Sequence, residues 1–136
     1  MPNVADLDQP DSPNGKDVLV PASRSAWRSW LSDNADQPDG LWLVYRKKSS
    51  AIEGPLYHEL VEEALCFGWI DSIVRSIDDK KHAQRFSPRK PGSSYSPANK
   101  ERLRFLLKKK KIIKEVRDTM GDILEEKFTI ADDILA

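Results

Sequence analysis

The run LWLVYRK, residues 41–47, limits the fold more than any other stretch of the chain. Leu41, Leu43 and Tyr45 fall on one side of an extended backbone and Trp42 and Val44 on the other, so both sides are apolar until Arg46. A strand patterned this way needs cover on each face and belongs inside a sheet.

The rest of the sequence supplies the cover. Trp27, Trp30 and Leu31 recur at i, i+3 and i+4 behind residues whose hydroxyls suit an N-cap, which predicts a helix over residues 23–32. Tyr57, Leu60, Val61, Ala64 and Leu65 repeat the helical period over residues 56–67, with Glu59, Glu62, Glu63 and Cys66 on another face that reads as acidic and outward. Gly68 stands where a left-handed residue would end that helix. WIDSIVRSI and HAQRF then form a hairpin, with strands at residues 69–77 and 82–87 around the polar turn of Asp78, Asp79, Lys80 and Lys81. Ser96 as cap and Pro97 in the first turn start a helix over residues 97–109 that carries Leu103, Leu106 and Leu107. Lys108, Lys109, Lys110 and Lys111 interrupt its apolar stripe, and a further helix is expected over residues 112–120.

The expected fold class is therefore α+β, a small antiparallel sheet of about three strands packed against three to five helices as a single domain over residues 18–136. At 136 residues, one domain is the ordinary arrangement. Residues 1–17 hold three prolines, four aspartates and no apolar period, and are read as a disordered acidic tail. No apolar run approaches the roughly eighteen residues that span a bilayer, and the N-terminus has no signal-peptide core, so a cytoplasmic protein without a membrane partner is expected.

ALCFGWIDS, residues 64–72, has the look of a reactive centre. Cys66, however, sits in the last turn of a helix, where the dipole is negative, with Glu62 and Glu63 close behind; its thiolate is disfavoured and an inert role follows. As the chain's one cysteine it excludes an internal disulfide and a cysteine-built zinc site, and His58 and His82 lack ligand spacing, so neither metal nor cofactor is expected. Trp69 reads as core. On a regular strand Asp71 and Arg75 would share the face of Ile73 and Ile77 at roughly 13 Å from each other, too far to pair, so each needs another partner.

WRSWL, LWLVYRKKSS, ALCFGWIDS and QRFSPRKPGSSYSPANKERLRFL, in this order, resemble the YdeI/OmpD-associated proteins, often labelled bacteriocin-protection proteins, over about residues 23–107. The resemblance implies a small bacterial cytoplasmic protein associated with bacteriocin tolerance and porin expression, without a defined reaction. Fuller members continue past a stretch like FTIADDILA into a second basic region, so residues 18–136 would correspond to the domain without that extension. Tyr95 replaces the tryptophan usual in that family.

Formal net charge is zero, yet residues 1–40 carry three basic and seven acidic side chains, residues 41–111 sixteen and eight, and residues 112–136 three and seven. Residues 85–111 alone hold ten Lys or Arg against one acid, Glu101. There Arg85, Arg89 and Lys90 accompany Ser87, Ser93, Ser94 and Asn99 near a helix start, and Gly92 permits close backbone approach, a combination suited to phosphate or carboxylate. The expected function is a non-enzymatic binding module for an anionic small ligand or an acidic protein partner, with Trp27, Trp42, Asp71 and Arg75 as further candidates beside these residues. Tracking of a nucleic-acid backbone by residues 85–111 is the alternative, which a pI near 6.7 disfavours. An uncharacterised enzyme is the second alternative, though no nucleophile elbow, HExxH or paired carboxylates appear.

Overall fold

The computed structural model describes residues 18–120, and the acidic tail and the FTIADDILA stretch lie outside the described residues. Four strands form one sheet: β1 (Val18–Leu19), β2 (Leu41–Arg46), β3 (Trp69–Ser76) and β4 (Lys81–Pro88), in the order β1-β2-β4-β3. The helices among the described residues are α1 (Arg24–Asn34), α2 (Tyr57–Cys66), α3 (Pro97–Lys108) and the single turn α4 (Lys114–Arg117).

This corrects the expected sheet of three antiparallel strands. β1 pairs parallel to β2, Val18 with Trp42 and Leu19 with Leu43, while β2–β4 and β3–β4 are antiparallel. The sheet is thus four-stranded and mixed, because α1 carries the chain from the end of β1 back to the start of β2. A strand of two residues shows no alternation for a sequence pattern to detect.

β2 is buried on both faces, as its pattern requires. Leu41, Leu43 and Tyr45 join Trp27, Leu31, Leu60, Leu65, Phe86, Leu103 and Leu106 in the main core under the helices. Trp42 and Val44 pack with Val18 and Ala83 on the opposite face. Gly40, at φ +71°, opens β2; a Cβ there would meet the Phe86 carbonyl oxygen at 2.4 Å, so the close approach of β2 to β4 depends on glycine.

Ser23 caps α1, its hydroxyl accepting from the Ala26 N–H at 3.0 Å. Gly68 follows α2 at φ +78°, and Ser96 caps α3 with Pro97 in the first turn. The expected helix over residues 112–120 shrinks to the four residues of α4.

The outward acidic face expected for α2 is wrong for two of its members, Glu63 and Cys66. Glu63 is 1% exposed and Cys66 is fully buried, both covered by α1. Arg24 donates from Nε to Glu63 Oε2 at 2.8 Å and from Nη2 to Glu62 Oε1 at 2.8 Å, and Arg28 Nη1 donates to Glu63 Oε1 at 2.9 Å. Two guanidiniums from a neighbouring helix let a carboxylate enter the interior, a tertiary pairing that helical periodicity does not encode. Burial pushes the Cys66 thiol up to about 11, so the thiolate is disfavoured at neutral pH.

A β-bulge in β3 corrects a second expectation. Between the pairs Asp71–Phe86 and Val74–Gln84 the register shifts, so Ser72 and Ile73 stand opposite Arg85 alone. The extra residue reverses the alternation. Asp71 stays on the helix-covered face, whereas Arg75, paired with Ala83, lies on the other with its guanidinium 5.7 Å from the Trp42 ring.

Candidate functional site

The basic segment 85–111 does not form one surface. Arg85 lies across from Trp42 on the sheet face away from the helices, and its Nη2 donates to the Asp39 carbonyl. Ser87 is half-buried on β4 opposite Ile70. Arg89 turns to the start of α3, its guanidinium 4.2 Å from the Tyr95 ring centroid. It shares a cleft of about 790 Å³ with Gly92, Ser93, Ser94 and Lys100, but Asp36 and Glu115 line the same cleft and offset the cations. Lys90 is exposed, and its carbonyl accepts from the Ser93 hydroxyl at 2.6 Å. Lys108, Lys109, Lys110 and Lys111 are exposed at and just past the end of the twelve-residue α3, roughly 18 Å along the axis from its start. The lysines therefore sit at the opposite end of α3 from Arg89.

Trp27 is no ligand wall. It is fully buried and its indole N–H donates to the Leu60 carbonyl at 2.9 Å. Trp42 is likewise 1% exposed beneath Arg75. Asp71 and Asn99, by contrast, meet in a cleft of about 410 Å³ with Tyr57, Ser94, Ser96 and Arg102. Of the sequence candidates, then, Arg89, Ser93 and Ser94 come together, Ser94 also stands beside Asp71 and Asn99, and Arg85, Arg75 and Trp27 are elsewhere.

The cleft with the least opposed positive charge lies at the other end of the sheet. It encloses about 640 Å³ and is lined by Tyr45, Arg46, Lys48, Leu56, Tyr57, His58, Val74, His82 and Gln84, with no carboxylate among these described residues. Sequence places Arg46 and Lys48 here because both leave the buried strand β2 at its exit, and α2 brings Tyr57 and His58 over from the facing side. Arg46 Nε donates to the Gly54 carbonyl at 2.8 Å, which holds the guanidinium at the strand end.

The walls are aromatic and apolar. The Tyr45 ring lies 5.5 Å from His82 and 6.5 Å from Tyr57, at interplanar angles of 50° and 34°. Val74, which the bulge turns toward this face, remains 52% exposed beside them. Behind the rings runs a polar chain: Tyr45 OH donates to Gln84 Oε1 at 2.6 Å, and Gln84 Nε2 and Tyr57 OH donate to Asp71 Oδ2 at 2.9 and 2.8 Å. Burial, with the Asp71 hydrogen bond and charge added, pushes the Tyr57 phenol up to about 12, and burial moves Tyr45 up as well. Both phenols are thus neutral donors at physiological pH. His82 is pulled down by burial and by the nearby Lys47 ammonium, and its Nδ1 is buried without a hydrogen-bond partner among the described residues.

Sequence reasoning missed this cleft, although one signal was visible: RKK, residues 46–48, directly follows the most buried strand. Among the described residues no group of three or more His, Cys, Asp or Glu is placed to hold a metal ion. No helix among the described residues is long and apolar enough to cross a membrane.

Fold and clefts together define a single small domain of mixed sheet and helices. The chain belongs to the family described as a domain of unknown function (DUF8412), whose model matches residues 19–119. No curated protein and no solved structure matches it.

Proposed function

We propose that this domain is a binding module for a small anionic ligand with an apolar or aromatic body, seated in the cleft of Arg46, Lys48, His58 and His82. The observation that carries the reading is the charge of the lining: two permanent cations and two imidazoles, with no carboxylate among the described lining residues. Cations without a carboxylate beside them among the described lining residues, around a concave and partly apolar hollow, favour an anion that can also be desolvated. Tyr45, Tyr57, Leu56 and Val74 would hold the ligand body, and the Arg46 guanidinium, fixed by Gly54, would meet its phosphate or carboxylate.

A hollow favours a small ligand over an acidic protein surface, and the separation of Arg85, Arg89 and the four lysines leaves no continuous track for a nucleic-acid backbone. The resemblance to the YdeI/OmpD-associated proteins is compatible with a binding role, since that resemblance implies an association and not a reaction.

Calorimetric titration with phenyl phosphate tests the reading. Saturable binding is expected, weakened at least about tenfold in the Arg46→Met, Lys48→Met double variant, as loss of charge-assisted hydrogen bonds implies. Arg89→Glu should leave it unchanged. Undiminished binding in the double variant, or abolition by Arg89→Glu alone, would move the site to the loop after Phe86 and overturn this assignment.

A further inference from the structure

Across Tyr57 from the cationic cleft lies the cleft of Asp71, Ser94, Asn99 and Arg102, about 410 Å³ in volume, whose lining differs in kind. Here one carboxylate and one guanidinium face a common space, and among the described residues no ion pair joins Asp71 to Arg102 or to any other cation. Flexible arginines normally close on a nearby carboxylate. Here Tyr57 engages both groups instead: its hydroxyl donates to Asp71 Oδ2 at 2.8 Å, and the Arg102 guanidinium carbon lies 5.6 Å from its ring centroid.

Each charge is further fixed by a neutral neighbour. Gln84 Nε2 donates to the same Oδ2 at 2.9 Å, leaving Oδ1 without a hydrogen bond among the described residues. Arg102 Nη1 donates to Asn99 Oδ1 at 2.9 Å, which orients the fork and leaves Nη2 unbonded among the described residues. Ile70 and Tyr95 add apolar surface to the lining of the same cleft, and Ser94 adds a hydroxyl. The opposite charges are therefore oriented, held apart and only half used.

We propose that this cleft takes a small zwitterion of the free α-amino-acid class, its ammonium on Asp71 Oδ1 and its carboxylate on the open edge of Arg102. A zwitterion supplies the two complementary charges that the protein withholds from each other, and its side chain has Ile70 and Tyr95 to lie against. The neutral phenol of Tyr57 keeps Asp71 aimed without neutralising it. The inference does not rest on the anionic-ligand reading: the two clefts share Tyr57 as a wall, but the charged groups used here, Asp71 and Arg102, line only this cleft, and the ligand differs in charge.

The full chain is first screened against the standard amino acids by thermal shift, and the strongest is titrated calorimetrically beside its N-acetyl and carboxamide derivatives. One-to-one binding is expected, with each derivative at least about tenfold weaker because one charge-assisted contact is gone. Asp71→Asn should erase the discrimination against the N-acetyl form and Arg102→Met that against the amide. The derivative comparison on the unaltered chain stands even where a variant unfolds. No shift with any amino acid, derivatives that bind as tightly as the parent amino acid, or full discrimination in folded Asp71→Asn and Arg102→Met would each overturn the proposal. Phenyl phosphate titrated in parallel reads out the other cleft separately.

Discussion

Glu63 and Asp71 are both carboxylates on the helix-covered side of this small sheet, and their surroundings are opposite. Glu63 is closed off between Arg24 and Arg28, with both oxygens in charge-assisted hydrogen bonds. Asp71 is half-buried, receives among the described residues only the neutral donors of Tyr57 and Gln84, and opens on a cleft. The same contrast separates the arginines, since Arg24 and Arg28 hold two helices together while Arg46 and Arg102 lie in clefts without a carboxylate partner among the described residues. A charge neutralised inside the protein serves the fold, whereas a charge that is oriented yet left unneutralised is available to a ligand.

The largest effect that separates the two carboxylates is on stability. Glu63→Ala would remove the buried carboxylate that Arg24 and Arg28 share, leaving Arg28 without a carboxylate partner among the described residues and Arg24 with Glu62 and Glu59 alone, and is expected to lower unfolding free energy by about 3 kcal/mol, measured by urea denaturation. Asp71→Asn keeps the shape and an acceptor for Tyr57, so its loss should stay within about 1 kcal/mol. Equal losses would erase the distinction drawn between structural and available charge.

That distinction was only partly legible in the sequence. Strand β2, the caps Ser23 and Ser96, the hairpin and the left-handed Gly68 follow from local pattern and backbone chemistry, which a single sequence carries. Strand β1 escaped because it is two residues long and gains its identity from pairing with Trp42 and Leu43. The burial of Glu63 escaped because its partners lie on another helix, and the β3 bulge because nothing local marks the register shift that sends Asp71 and Arg75 to opposite faces. The candidate clefts were the least legible part: charge density along the chain pointed to residues 85–111, but the fold disperses those residues and gathers Arg46, Lys48, His58 and His82 from three separate stretches.

A smaller effect concerns His82. Folding lowers its affinity for a proton, through burial first and the Lys47 charge second, so the unfolded chain binds protons more readily below the usual value of 6.5. Its contribution to stability is therefore complete above about pH 6.5 and lost as pH falls from there through the depressed folded value. Denaturation midpoints across pH 5 to 8 should show this slope on the acid side, and His82→Gln should flatten it while the Glu63 cluster remains intact. A slope unchanged by that substitution would assign the titration to another group.

The central claim, that the cationic cleft awaits an anion, predicts a specific response of the same imidazole. An anion seated beside His82 favours its protonated form, so proton NMR titration should find its apparent pKa raised when phenyl phosphate is saturating. A His82 titration curve that coincides with and without phenyl phosphate would contradict the account, because the ligand would then lie outside the cleft that His82 lines.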